Sequence, residues 1–217
     1  MGKYIRKRLL RWIVTLLGVT LLLFLLLEGT QAPANCLLAK PVIYLYPEEE
    51  MPISVTLELS GTLTSSYPAY DSGWQMIAQP DGTLTDSTGR EYYCLYWEGN
   101  SETAFDLSQG FVVPGSETAP FLEKSLSRLG LTQREANEFI IYWLPQMEAS
   151  PYNLITFQTQ CYEDAAKLHI TPMPDSVIRI FMVWQRLDTP ICITPQELTA
   201  PTRTGFTVVE WGGAELS

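Results

Sequence analysis

The N-terminal segment combines a cluster of basic residues with a long uncharged apolar run. The run extends from Trp12 to Leu27 and reads WIVTLLGVTLLLFLLL. The basic residues before it are Lys3, Arg6, Lys7, Arg8 and Arg11. This order is typical of a secretory signal or an N-terminal anchor whose positive flank stays in the cytoplasm. A buried helix of a soluble protein would not place so many basic residues beside an all-apolar run.

The length of the apolar run is compatible with two interpretations, a cleaved signal peptide and a retained membrane anchor. It lies between a signal-peptide core and the roughly 20 residues that span a bilayer. Ala32-Pro33-Ala34 offers a small-residue cleavage site, whereas lipid attachment at Cys36 is disfavoured because Asn35 is not small. We predict that residues 1–35 are a signal peptide or a membrane anchor. Residues 36–217 are then one extracytoplasmic α+β domain, exported or tethered by a single transmembrane helix.

The charge of the chain is divided between two unlike parts. Residues 1–35 hold five of the 14 basic residues and one of the 24 acidic residues, so the remainder carries a net charge of −14. Nucleic-acid binding needs clustered Lys and Arg to contact phosphates. The acidic domain is therefore not expected to bind nucleic acid, and its expected partners are the membrane, through residues 1–35, and an envelope glycan or protein.

Several chemistries lack the residues they require. His169 is the one histidine of the chain, which excludes two-histidine zinc and iron sites. The sequence contains no phosphate-binding glycine loop, no G-x-S-x-G element and no EF-hand loop. We predict no metal, no cofactor and no nucleotide. Export would permit disulfides, but three pairings remain open among Cys36, Cys94, Cys161 and Cys192.

Hydrophobic patterning predicts an α+β fold. Strands are expected at 42–46, 53–60, 73–79, 91–97, 154–158, 177–184 and 206–211, where β-branched and aromatic residues alternate or cluster. The turn signals Pro80-Asp81-Gly82 and Thr88-Gly89 predict a β-meander or sandwich-like N-terminal part.

A helical hairpin is predicted between the two groups of strands. Its first helix ends at the cap Gly130, and its second begins at the capping box Thr132–Glu135 and stops before Pro145. A short helix is predicted at 162–168. The C-terminal strands are expected to join the N-terminal ones in one compact unit.

Ordered sequence blocks cover nearly all of residues 40–213. They are KPVIYLYP at 40–47, PDGTL at 80–84, YWEG at 96–99, FIIYWLP at 139–145, ITPMPDS at 170–176, RIFM at 179–182 and GFTVVEWGG at 205–213. In this order the blocks resemble a family of uncharacterised proteins found in bacteria and fungi. The resemblance implies a shared fold and carries no activity.

Charged residues inside apolar blocks are the first candidate site. Glu98 follows Trp97, Glu210 precedes Trp211, and Arg179 lies inside a predicted strand. One hypothesis is a glycosidase-like hydrolase of envelope polymers, in which Glu98 and Glu210 face one cleft at roughly 5–10 Å. The favoured interpretation is structural, with the carboxylates paired to Arg179 or to Lys40.

Aromatic residues are the second candidate site. If the rings of Trp74, Trp97, Trp143 and Trp211 are exposed, they would form a saccharide- or peptide-binding platform. The favoured interpretation is that most of these rings lie in the core, because aromatic side chains dominate core burial. The leading hypothesis is a non-catalytic binding module at the cell envelope. Its predicted binding residues are Trp97, Glu98, Trp143, Asp175, Arg179, Glu210 and Trp211.

Overall fold

The computed structural model describes residues 36–216, which form two β-sheets and a layer of helices. The strands are β1 Cys36–Tyr46, β2 Met51–Leu59, β3 Gly61–Tyr67, β4 Trp74–Ala78, β5 Leu84–Thr85, β6 Glu91–Tyr92, β7 Leu95–Ser101, β8 Phe111–Pro114, β9 Tyr152–Gln158, β10 Ala166–Thr171, β11 Ser176–Leu187 and β12 Thr207–Leu216. The helices are a 3₁₀ turn at Gly115–Glu117, then α1 Thr118–Arg128, α2 Gln133–Met147 and α3 Gln160–Ala165. The fold is mixed α and β, with strands predominating.

The seven-stranded sheet has the order β3-β7-β1-β12-β11-β9-β8, and the five-stranded sheet has the order β10-β2-β4-β5-β6. All pairs in the larger sheet are antiparallel except β11 and β12, which run parallel. The C-terminal strand β12 therefore lies in the centre of the sheet beside the N-terminal strand β1.

The larger sheet is buried on both faces. One face packs on the smaller sheet through a core that includes Leu45, Trp97 and Phe181 from the larger sheet and Val55 and Trp74 from the smaller one. The other face packs on the two long helices through a second core, whose members include Tyr44, Leu122, Phe139, Trp143 and Trp211. Two-sided burial explains why β1, β11 and β12 are continuous apolar runs rather than alternating ones.

Two predicted helix boundaries are wrong. Pro145 lies inside α2, two residues before its end at Met147, although the sequence rule places the stop before the proline. The helix expected at 162–168 ends at Ala165, and the chain continues as β10, which pairs with β2 along its whole length. Pairing with β2 overrides the local helical preference of this segment.

Gly212 and Gly213 continue β12 instead of ending it. A Cβ on Gly212 would lie 3.1 Å from Pro41, and one on Gly213 would lie 2.7 Å from the Trp143 ring. Glycine inside a strand can mark a place where another group approaches closely. Gly213 therefore lets α2 pack closely on the helix-facing side of the sheet, and Gly212 lets Pro41 of β1 lie close to β12.

The membrane predictions are corrected. Within residues 36–216, no helix combines the length and the hydrophobicity needed to cross a bilayer. The predicted signal peptide or transmembrane anchor, residues 1–35, lies outside these described residues. Membrane attachment, export and an extracytoplasmic location have no support in the described part of the chain, and we do not propose them.

The close approach at Gly213 predicts the outcome of a single substitution. In Gly213→Ala the new methyl group would meet the Met182 carbonyl oxygen at 2.6 Å as well as the Trp143 ring. We expect overpacking to lower the free energy of unfolding by about 1–3 kcal/mol, measured by urea denaturation. The exposed Thr64→Ala serves as a control and should change it by less than about 0.5 kcal/mol. Equal stability of the two variants would contradict the close approach.

Candidate functional site

Glu210 lies between the two sheets, fully buried, in a polar cluster. Its carboxylate accepts a hydrogen bond from Nε1 of Trp97 at 3.1 Å and from Nε of Arg179 at 2.7 Å. The side chain of Glu210 has no exposed surface, and that of Arg179 is 8% exposed. The favoured structural interpretation of the sequence, a carboxylate paired with Arg179, describes this arrangement.

Arg179 connects the carboxylate to the smaller sheet. A second nitrogen of its guanidinium donates to the Ala166 carbonyl oxygen, at the start of β10, at 2.7 Å. The guanidinium also lies over the Tyr162 ring, 4.7 Å from its centroid. Burial by itself would lower the pKa of Arg179, but the charge of Glu210 and the neighbouring Tyr162 raise it on balance. Arg179 therefore stays charged and joins the two sheets at this point.

Glu98 faces the opposite side of the sheet from Glu210. Side chains alternate along a strand, so Glu98 and its neighbour Trp97 point to opposite faces of β7. Trp97 contacts Glu210, whereas the Glu98 carboxylate accepts a hydrogen bond from the Lys40 amide at 3.2 Å. The sheet lies between the two carboxylates, and the shared cleft required by the hydrolase hypothesis is not formed.

The tryptophans expected to form a binding platform lie in the core instead. Trp74, Trp97, Trp143 and Trp211 are each at most 2% exposed. Asp175 is exposed, but its carboxylate accepts a hydrogen bond from the Phe206 amide at 2.8 Å and so fixes the loop before β12. The seven predicted binding residues therefore do not form one surface. The structure brings Trp97, Arg179 and Glu210 together and places Glu98 and Trp143 on the helix-facing side.

A β-bulge in β1 turns Lys40 toward that helix-facing side. Pairing of β1 with both of its neighbours shifts register between residues 38 and 42. Ala39 and Val42 then contact the same core, although residues three apart in a regular strand face opposite sides. Lys40 itself has a φ of 61°, a left-handed conformation that costs a non-glycine residue about 1–2 kcal/mol. Bulges of this kind often redirect a side chain beside a functional site.

The redirected ammonium group lies between two tyrosine rings. Nζ of Lys40 is 5.3 Å from the ring centroid of Tyr96 and 5.3 Å from that of Tyr142. No carboxylate of the described residues approaches this nitrogen within 4.0 Å. Cation–π contact with both rings compensates part of the lost hydration.

Glu98 also controls the ionisation of Tyr96. Burial, followed by the hydrogen bond and the charge of Glu98, raises the pKa of Tyr96 to about 12. The pKa of Tyr142 is raised for the same two kinds of reason, burial first and then the charge of Glu98. Both phenols stay protonated at neutral pH, and Tyr142, which lines the groove described next, presents a neutral hydroxyl.

A groove opens beside this cluster, between the C-terminal half of α2 and the strands β1 and β12. We name it the α2 groove. Its volume is about 390 Å³, and its lining consists of Leu37, Ala39, Tyr142, Trp143, Gln146 and Glu215. Lys40 does not line the groove, but it adjoins two lining residues: it follows Ala39 in the chain, and its ammonium group lies over the ring of Tyr142.

One residue of the α2 groove lining, Trp143, has a side-chain hydrogen-bond donor without a partner. Nε1 of Trp143 is buried and has no partner among the described residues. Four other buried side-chain atoms share this property, on Ser150, Asn153, Tyr162 and Trp184, but none of these residues lines the groove. Buried N–H groups in proteins are nearly always satisfied, so this one calls for an acceptor.

The rim of the α2 groove supplies further polar groups. Glu215 pairs with Arg186 at 3.1 Å, with both side chains about half exposed. Gln146 donates from Nε2 to the Tyr142 carbonyl oxygen at 2.9 Å, which leaves its own side-chain oxygen as an acceptor. Sequence analysis missed the groove because its residues come from three distant segments.

Residues 36–216 contain no group of three or more His, Cys, Asp or Glu side chains that would hold a metal ion. All four cysteines lie in this range, and none forms a disulfide. The exposed His169 lies 3.4 Å from Glu58 on the smaller sheet, away from the α2 groove.

Comparisons with known proteins give one partial relative. The chain is 44% identical over 64 residues to an "Uncharacterized protein in bglA 3'region" of Butyrivibrio fibrisolvens. The match covers 28% of this chain and 66% of that protein, so the chain spans just under two thirds of the relative's length. The predicted resemblance to uncharacterised proteins without a known activity is confirmed.

No protein-family model matches the chain. No solved structure matches it either.

The buried ion pair predicts strong coupling between its members. Arg179→Met would leave the Glu210 carboxylate buried without a charge partner, at a cost of about 3–5 kcal/mol. The double variant Arg179→Met/Glu210→Gln should lose clearly less than the two single variants together in urea denaturation. The half-exposed pair offers a control, because Arg186→Met should cost less than about 1 kcal/mol. Strictly additive losses at 179 and 210 would refute the coupling.

The raised pKa of Tyr96 predicts an alkaline transition. A phenol whose pKa rises from about 10 unfolded to about 12 folded contributes stability that is complete below pH 10 and disappears as pH passes 12. Glu98→Gln removes the hydrogen-bonded charge, so Tyr96 should ionise at lower pH. Phenolate absorbance measures this change, and Tyr96→Phe identifies the transition by abolishing it. An identical titration curve in Glu98→Gln would exclude the role given to Glu98.

Proposed function

We propose that this protein is a non-catalytic binding module that takes a saccharide in the α2 groove. The observation that carries the proposal is that Trp143, a residue of the groove lining, has a buried Nε1–H without an acceptor. A buried donor without an acceptor loses the hydration it had in water, and a ligand oxygen would restore the missing hydrogen bond.

The other groups of the groove favour a ligand rich in hydroxyls. A hydroxyl both donates and accepts, so it can serve the Trp143 donor and also the acceptors on Gln146 and Glu215. The ring of Tyr142 adds an amphipathic wall with a polar tip. A few polar groups around apolar walls, in a volume of about 390 Å³, are the usual features of a small-ligand site.

The positions of the carboxylates count against the alternative, a glycosidase-like hydrolase using Glu98 and Glu210. These residues lie on opposite faces of the sheet, and the Glu210 carboxylate already accepts hydrogen bonds from Arg179 and Trp97. Glycoside hydrolysis requires two carboxyl groups on either side of the same scissile bond. The groove lining contributes one carboxylate, that of Glu215, which supports binding without turnover.

A glycan array followed by isothermal titration calorimetry tests the proposal on the full-length protein. Trp143→Phe keeps an aromatic ring and removes the N–H donor, so it should weaken binding of the best array ligand about tenfold. Trp184→Phe is the matched control, because Trp184 is equally buried and its Nε1 is also unpaired, but it does not line the groove. Trp184→Phe should leave the affinity unchanged.

Two results would overturn this function. The first is the absence of binding to any saccharide on the array by the folded protein. The second is an equal effect, or an equal lack of effect, of the two tryptophan variants on affinity. Release of reducing sugar from a bound saccharide would instead favour an enzyme.

A further inference from the structure

We infer that the ligand of the α2 groove carries a carboxylate and that Lys40 binds this group. The inference rests on the proposed function, because it concerns the same groove, and it narrows the ligand class to acidic saccharides such as uronic-acid oligomers. The feature that carries it is the unpaired ammonium group of Lys40 beside the groove.

The absence of a carboxylate partner distinguishes Lys40 from the cations around it. Arg179, Arg186 and Arg203 pair with Glu210, Glu215 and Glu135 respectively. Lys40 is half-buried in a domain with a net charge of −14, yet its Nζ lies over two aromatic rings and forms no ion pair among the described residues. A lysine ammonium has three donors, and ring faces satisfy none of them as an oxygen acceptor would.

Glu98 is the nearest candidate to neutralise Lys40, but its oxygens have other partners. The carboxylate accepts the backbone N–H of Lys40 at 3.2 Å, and it also acts on the neighbouring Tyr96 phenol, whose pKa it raises. Glu98 thus stabilises the bulge through the Lys40 backbone, and its carboxylate lies more than 4.0 Å from the Lys40 ammonium group. The backbone conformation at Lys40 is strained, and strain of this kind persists where the surrounding structure imposes it, as binding sites commonly do.

The negatively charged side chains near Lys40 favour a ligand group with one negative charge over a group with two. Glu98 lies beside Lys40, and Glu215 lies in the lining of the groove. One ammonium group balances one carboxylate, whereas a phosphate would add a second negative charge among these acidic residues. A sugar carboxylate also supplies hydroxyls for the rest of the groove.

The test compares acidic oligosaccharides with their carboxyl-reduced forms, in which a CH₂OH group replaces each carboxylate. Galacturonate, mannuronate and glucuronate oligomers are titrated into the full-length protein by calorimetry. We expect at least one acidic oligomer to bind tenfold or more tightly than its reduced form. The preference should fall as salt concentration rises, because the pair is partly exposed to solvent.

Substitution of Lys40 should remove the preference and leave the neutral affinity. Lys40→Met removes the charge, and Lys40→Gly removes both the charge and the backbone strain, so the second variant guards against misfolding of the first. Lys124→Met, at an exposed lysine on α1 outside the α2 groove, is the control and should behave as the parent.

The outcomes separate this inference from the function on which it rests. Equal binding of acidic and reduced oligomers, with the Trp143→Phe effect intact, overturns the role of Lys40 and leaves the saccharide site. A preference that survives in Lys40→Gly also overturns it. Failure of every acidic and reduced oligomer to bind overturns the inference, and it overturns the proposed function as well if the array is also silent.

Discussion

Burial of the larger sheet on both faces is the constraint on which the other features of this structure depend. Strands β1, β11 and β12 have no solvated face, so a charged side chain in them must find a partner or leave the strand geometry. Glu210 meets this constraint by pairing with Arg179 and with the Trp97 indole. Lys40 meets it differently, through a bulge that places its ammonium group over two tyrosine rings on the helix-facing side of the sheet.

The two solutions have different functional consequences. The pair of Arg179 and Glu210 is closed, because each charge has its partner and solvent barely reaches either side chain. Such a pair can fix how two sheets align, but it offers nothing to a ligand. The bulge leaves a charge without a carboxylate partner beside an open groove, and one residue of the groove lining, Trp143, has an indole N–H without a partner. The site is indicated by polar groups that lack hydrogen-bond or charge partners, and not by the mere presence of charged residues.

Sequence patterning predicted the mixed α and β composition, most strands, the helical hairpin and the capping box at Thr132, because these follow from local periodicity and cap chemistry. It did not predict β10, whose strand conformation depends on β2, more than a hundred residues earlier in the chain. It also grouped Glu98 with Glu210, because alternation fixes faces within a strand but not between strands. The groove could not be predicted from the sequence for the same reason, since Ala39, Trp143 and Glu215 come together only when the sheet has formed.

One local signal would have pointed to the site. Lys40 precedes a proline inside what is otherwise a buried strand, and proline in a central strand occurs where the ladder is interrupted. An interruption at Pro41 implies that the residue before it leaves the regular pleat, and a lysine there must then go where its charge is tolerated. The packing of Pro41 against Gly212 on β12 fixes the opposite side of the same interruption. The pair of glycines in the last strand and the Lys-Pro in the first are therefore two parts of one feature of the central strands, and the α2 groove lies beside it.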